Sequence, residues 1–371
     1  MFKKITFFFL LTAILQSSCV DRISFDVEIP AVYPITIEGS ITDQPGPYEV
    51  RVSKAFDIES KQSIKTAINV RSIQLSDSEG FTETLVKVDD GVYQTTTPDL
   101  VGVVGRAYSI RVELLDGRIY ESIPDTLYQT GTVDDVYFEF KEELDVEGTT
   151  QYGFDVFFNS TAGSTSNPYF LWKFVGTYQV ETNPELYTVS CGESRCPSPL
   201  PCSGYILGPN GPYLESECLC CTCWVDFFND LPIISDNQFI EGGTFMNVKA
   251  GYVPVNQWTF MYKVHAEVQQ LSLSRRAFNF WKGVKDQKEA TNSLFQPNSG
   301  RIRGNFVQVF GQTGPVEGLF YASSVSRNSV YITRNDVKPQ NLIPPQDLPF
   351  TDDCSKLFPY SSKTKPAYWQ D

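Results

Sequence analysis

The chain has 371 residues, 41% of them hydrophobic and 14% aromatic, with 44 acidic residues against 30 basic ones and a formal net charge of −14. Such an acid excess excludes a nucleic-acid binder and a protein held on an anionic bilayer by a basic patch. With 23 prolines, 25 glycines, 3 methionines and a single histidine, the composition is that of a β-rich protein outside the cytoplasm, long enough for two domains.

The first nineteen residues read MFKKITFFFLLTAILQSSC. Lys3 and Lys4 precede an apolar run from Ile5 to Leu15, and the small residues Ser17 and Ser18 lead to Cys19. This is the plan of a secretory signal. A cysteine directly after the small residues points to lipidation of Cys19 once residues 1–18 are cleaved. The aliphatic residue expected three places before the cysteine is Gln16 here, a departure that resembles Bacteroidetes lipoproteins. Cleavage removes two lysines and no acid, moving the formal charge to −16. Residues 19–31 then form a lipidated tether. Later in the chain no run of about 20 apolar residues could span a bilayer.

Residues 32–128 read as short strands and tight turns. YPITIEGSI and YEVRVSKAF alternate around the turn DQPGP. Asp90-Gly91 and Asp116-Gly117 are two-residue hairpin signals, since glycine accepts the positive φ required. In RAYSIRVELL, Tyr108, Ile110, Val112 and Leu114 share one face and Ser109, Arg111 and Glu113 the other. The spacing predicts an immunoglobulin-like β-sandwich, without an internal disulfide.

Residues 129–371 are expected to form a larger β-rich domain with one helix and a cysteine-rich insertion. Strands are expected over 152–158 and 169–180, and again over 258–271, where His265 falls on the polar side of the alternation. Ser272 or Ser274 can cap a following helix, with Leu273, Ala277, Phe280, Trp281 and Val284 at helical spacing. NFVQVFG and GLFYASSV are further strands. The tail beyond Asn335 is rich in proline and has no domain of its own.

Between 183 and 224 apolar core residues are few and cysteines are dense: Cys191, Cys196, Cys202, Cys218, Cys220, Cys221 and Cys223. With Cys354 these make eight beyond the lipidation cysteine. The even number, in an oxidising compartment, predicts disulfides. The adjacent Cys220 and Cys221 are poor partners for each other. If the segment is extended, Cys218 and Cys220 face one way and Cys221 the other, toward different partners among Cys191, Cys196 and Cys202. Cys354 could tie the tail to the insertion. A thiolate metal site is the rival reading, but two paired C-x2-C units and a nearby histidine are both missing; a thiol redox site is the third, and Cys218 to Cys221 fits its C-x-x-C spacing within a crowded cluster. No cofactor is expected.

For catalysis the sequence offers little. A hydrolase triad would have to use His265, and no G-x-S-x-G motif is present. The acidic pairs Asp89-Asp90, Asp134-Asp135 and Asp352-Asp353 suit turns and caps. The expectation is therefore a binding protein and not an enzyme, with Tyr205, Tyr213, Trp224, Phe227 and Phe228 as candidate contacts. Tyr368-Trp369 is a further exposed-aromatic candidate near the end.

Taken in order, IEGSITDQPGPYEVRVS, LSLSRRAFNFWKGVKDQ, SLFQP, RIRGN and GLFYASS resemble the DUF4249 lipoproteins of Bacteroidetes. The resemblance runs over nearly the whole mature chain and carries no catalytic residues. It implies a lipid-anchored accessory protein of the outer membrane, at the cell surface, beside a TonB-dependent transporter of the SusC-like kind. An independent carbohydrate-binding lipoprotein and a structural subunit of an outer-membrane assembly are the alternatives.

Overall fold

The computed structural model describes residues 34–54, 66–144, 148–163, 167–236, 243–291, 302–341, 350–358 and 360–370. Cys19, the signal and the tether lie outside the described residues. The chain is mainly β, and none of its described helices is long and apolar enough to cross a membrane.

Two sheets enclose the first core. One contains Ile35–Thr42, Glu49–Lys54, Val86–Asp89 and Val92–Gln94; the other contains Val70–Asp77, Ala107–Leu114 and Ile119–Ser122. Tyr108, Ile110, Val112 and Leu114 are at most 3% exposed while Arg111 is exposed, as the alternation requires. They pack with Ile37, Val50, Val52 and Ile73. Side chains of this size contribute about 1.5–3 kcal/mol each on full burial. Gly91 and Gly117 turn their hairpins at φ of +68° and +86°.

Both sheets also take strands from far along the chain. Phe306–Phe310 pairs with Ile119–Ser122, and Val316–Ser323 lies parallel to Ile35–Thr42 along its full length. The parallel neighbour needs two glycines. A Cβ on Gly318, which holds φ +103°, would sit 2.0 Å from the carbonyl oxygen of Ile37, and one on Gly304 would sit 1.8 Å from that of Gly318.

The second core lies between a three-stranded sheet, Val133–Leu144, Thr150–Thr161 and Thr244–Pro254, and a longer one. The longer sheet is ordered Val325–Thr333, Lys263–Ser272, Phe170–Glu181, Thr222–Phe228 and Ser361–Ser362. Phe154, Phe158, Phe170, Trp172, Phe174 and Phe245 fill the space between them. Lys263–Ser272 begins later than the sequence pattern indicated, because residues 256–262 turn around the Asn256 side chain.

A single residue, Ser324, separates Val316–Ser323 in the first sheet from Val325–Thr333 in the long sheet. Helix α1, Arg275–Thr291, covers this seam. Ser274 caps it, its hydroxyl accepting from the Ala277 amide at 3.1 Å. Ala277 and Phe278 pack on Leu171, Leu271, Leu319, Tyr321 and Val325, with Phe280 and Trp281 at the margin. Phe278 was not part of the expected helical face.

Around this seam three polar side chains fix the backbone. Asp43 accepts from the Val325 amide at 2.8 Å and from the Ser324 hydroxyl. Asp125 accepts from the Ala322 amide at 3.0 Å and from the Ser274 hydroxyl. Asn305 clasps Phe320, accepting from its amide at 3.0 Å and donating to its carbonyl at 2.6 Å. These segments fix the seam through buried, satisfied polar groups.

Candidate partner-binding surface

The insertion stands on four disulfides: Cys191–Cys196, Cys202–Cys220, Cys218–Cys221 and Cys223–Cys354. The opposed facing expected of Cys218, Cys220 and Cys221 does not occur. Residues 218–221 bend instead of extending, which brings Cys218 and Cys221 to a Cα separation of 5.7 Å and leaves Cys220 for Cys202. The Leu219 amide donates to the Cys202 carbonyl at 2.8 Å and holds the bend. Cys354, at the start of a short helical turn, binds the tail to the strand Thr222–Phe228, across 131 positions of sequence. Cys202, Cys220 and Asp353 bring metal-type donors within 4.8 Å of one another. The two sulfurs bond each other, and the carboxylate meets Lys363 at 2.7 Å.

From this staple projects a two-stranded ribbon, Tyr205–Gly208 paired with Gly211–Leu214. Its sequence, YILGPNGPYL, contains no charged residue. The register places Tyr205, Leu207, Pro212 and Leu214 on one face and Ile206 and Tyr213 on the other. Both faces are apolar and open to solvent: Leu207 is 57% exposed, Tyr213 51% and Leu214 61%, with Leu219 beside the ribbon's base at 74%. Gly204 starts the ribbon at φ +77°, where a Cβ would strike the Ser216 carbonyl at 2.0 Å. Around the ribbon the charges are acidic: residues 183–224 carry four glutamates and one arginine, net −3.

The five candidate aromatics do not form one platform. Tyr205 and Tyr213 lie on opposite faces of the ribbon. Phe227 packs inward with Phe174 and Tyr178, at ring-centroid distances of 5.8 and 5.9 Å, and Gly176 makes room for its ring. Trp224 and Phe228 share the outer face of that strand. Trp224 is half-buried and Phe228 exposed, 6.0 Å from Tyr360. Strand parity separates them: Cys223, Val225 and Phe227 alternate with Trp224, Asp226 and Phe228, a signal already in the sequence.

His265 is not at the solvent face. It is 3% exposed, stacked on Tyr368 at 4.2 Å and tilted against Tyr331 at 5.0 Å. Burial lowers its pKa, outweighing the opposite pull of Glu267 and Asp226. The tail that covers it is itself anchored: the Tyr331 hydroxyl donates to the Tyr368 carbonyl at 2.6 Å, and Trp369 is 4% exposed rather than open. Among the described residues no serine or cysteine nucleophile hydrogen-bonds to this histidine. Of the acidic pairs, Asp90 meets Lys87 at 2.7 Å beside its hairpin, and Asp353 accepts from the Ser355 amide as a helix cap.

No curated protein and no solved structure matches the chain. The family model for DUF4249, a domain of unknown function, matches residues 23–329, a span that holds the first core, most of the second and the insertion, and stops short of Cys354. The chain belongs to the DUF4249 family.

Proposed function

We propose that the chain is a lipid-anchored outer-membrane protein, exposed at the cell surface through Cys19, that works by binding and assembly with a TonB-dependent transporter and performs no chemistry of its own. The observation that carries this reading is the uncharged ribbon 205–214, with apolar side chains on both faces and disulfides at its base. Exposed apolar groups that are dispersed need no explanation; concentrated on a rigid projection they mark an interaction site. Among the described residues no further strand pairs with the ribbon's outer edges, which a partner strand can extend. The acidic surround favours a partner whose apolar cleft is flanked by lysine or arginine.

Affinity capture of the tagged chain from detergent-solubilised outer membranes tests this. The expected result is co-recovery of a β-barrel protein, lost when Leu207→Ser and Leu214→Ser are combined while the thermal melt of the chain is unchanged. Recovery of the chain as a free monomer at every expression level overturns it.

A further inference from the structure

A cleft of about 460 Å³ opens on the outer face of the long sheet, between the strand Phe170–Glu181, residues 228–232 and helix α1. That is within the range of small-molecule sites. Leu171 and Val175 contribute from the strand, Trp281 and Val284 from the helix, and Phe228 and Pro232 from the turn.

Its polar groups are mostly donors. Lys173 lies on the strand side, with the Tyr321 hydroxyl as its contact at 3.2 Å. Lys288 reaches from the last turn of α1 to the Asp230 carbonyl. Neither lysine pairs with a carboxylate among the described residues, although the chain carries 44 acids. The lining holds these two lysines and one acid, Asp230, and is therefore net positive in a chain of net charge −14. Trp281 lines both this cleft and its neighbour beside Tyr321, and its indole nitrogen, shielded from solvent, has no hydrogen-bond partner among the described residues. Buried donors in native proteins almost always have an acceptor. Gln269 adds an amide whose nitrogen already serves Glu267, at 2.6 Å, leaving its carbonyl.

We propose that this cleft binds an amphiphilic anion, a carboxylate on an unbranched alkyl chain. The ammonium groups of Lys173 and Lys288 receive the carboxylate, and the alkyl chain lies along Leu171, Val175, Trp281 and Val284. A neutral sugar would leave both ammonium groups uncompensated, and a cationic amphiphile would be repelled by them. The site uses none of the residues of the ribbon 205–214, so its test is independent of the transporter reading.

Decanoate is the probe. The full chain is held in zwitterionic lipid nanodiscs and titrated by calorimetry, with empty nanodiscs as the blank and decyltrimethylammonium as the charge-reversed control. The expected result is saturable binding of one decanoate per chain, weakened about tenfold by Lys173→Met and also weakened by Lys288→Gln, with no saturable binding of decyltrimethylammonium. Lys288 is exposed, so its replacement leaves the fold intact and decides the matter if Lys173→Met disturbs the strand. Equal binding of the cation, no saturable decanoate binding, or wild-type affinity in Lys288→Gln overturns the proposal.

Discussion

At His265 one side chain reports on the packing of the whole tail. The imidazole is buried under Tyr368, and burial disfavours its charged form. Its native pKa therefore lies below the ordinary value of 6.5, and the unfolded chain binds the proton first as pH falls. The sign follows from linkage: this stabilisation is full above pH 6.5 and is lost progressively as pH falls from there to the native pKa. Because the chain has one histidine, its Hε1 resonance can be followed by NMR without assignment. The titration is expected below 6.5, and Tyr368→Ala is expected to raise it. A midpoint at or above 6.5 in the native chain would refute the burial. Asp125 has the opposite linkage. Burial raises its pKa above 3.8, so its penalty grows as pH rises from 3.8 to the native pKa. Replacing it with alanine strands the Ala322 amide, and unfolding in denaturant should show a loss of about 1–3 kcal/mol. Asp125→Asn keeps an acceptor there and should lose less.

The elements differ in how openly the sequence announces them. Ala107–Leu114 is legible because its buried face repeats every second residue, and helix α1 because Ser274 and a 3.6-residue period mark it. The parallel pairing of Ile35–Thr42 with Val316–Ser323 is not legible, since it joins segments about 280 residues apart with no local signal beyond two glycines. The expected polar alternation at His265 fails because both faces of its central strand are covered, one by the aromatic core and the other by the tail. The expectation for Cys218 and Cys221 fails because it assumed an extended segment where the chain bends. Disulfides still explain the insertion, whose hairpins bury little. Titration of the denatured, unreduced chain should find none of the eight cysteines from Cys191 to Cys354 as a free thiol, and a full set after reduction. Replacing both Cys223 and Cys354 by serine removes a link across 131 positions and should cost about 2–5 kcal/mol in denaturant unfolding. A loss near zero would show that the tail docks without its covalent tie.

In the molecule as a whole, the described parts of the segments that carry the family resemblance come together around the strand Val316–Ser323. Asp43, Ser272 and Ser324 hydrogen-bond across the join between the two sheets, Asp125 ties Ser274 to Ala322, and Asn305 clasps Phe320 beside the first core. Their role is architectural. The distinctive surface of this chain is the ribbon 205–214, raised on disulfides and free of charge. The most direct measurement places a photo-crosslinking amino acid at Tyr213 on the ribbon, and another at Val86 on the first sheet, in living cells. Irradiation should join Tyr213 to a transporter barrel and leave Val86 unlinked to it. Equal crosslinking from both positions, or crosslinks from Tyr213 to lipid alone, would contradict the assignment of the ribbon as the partner-binding surface.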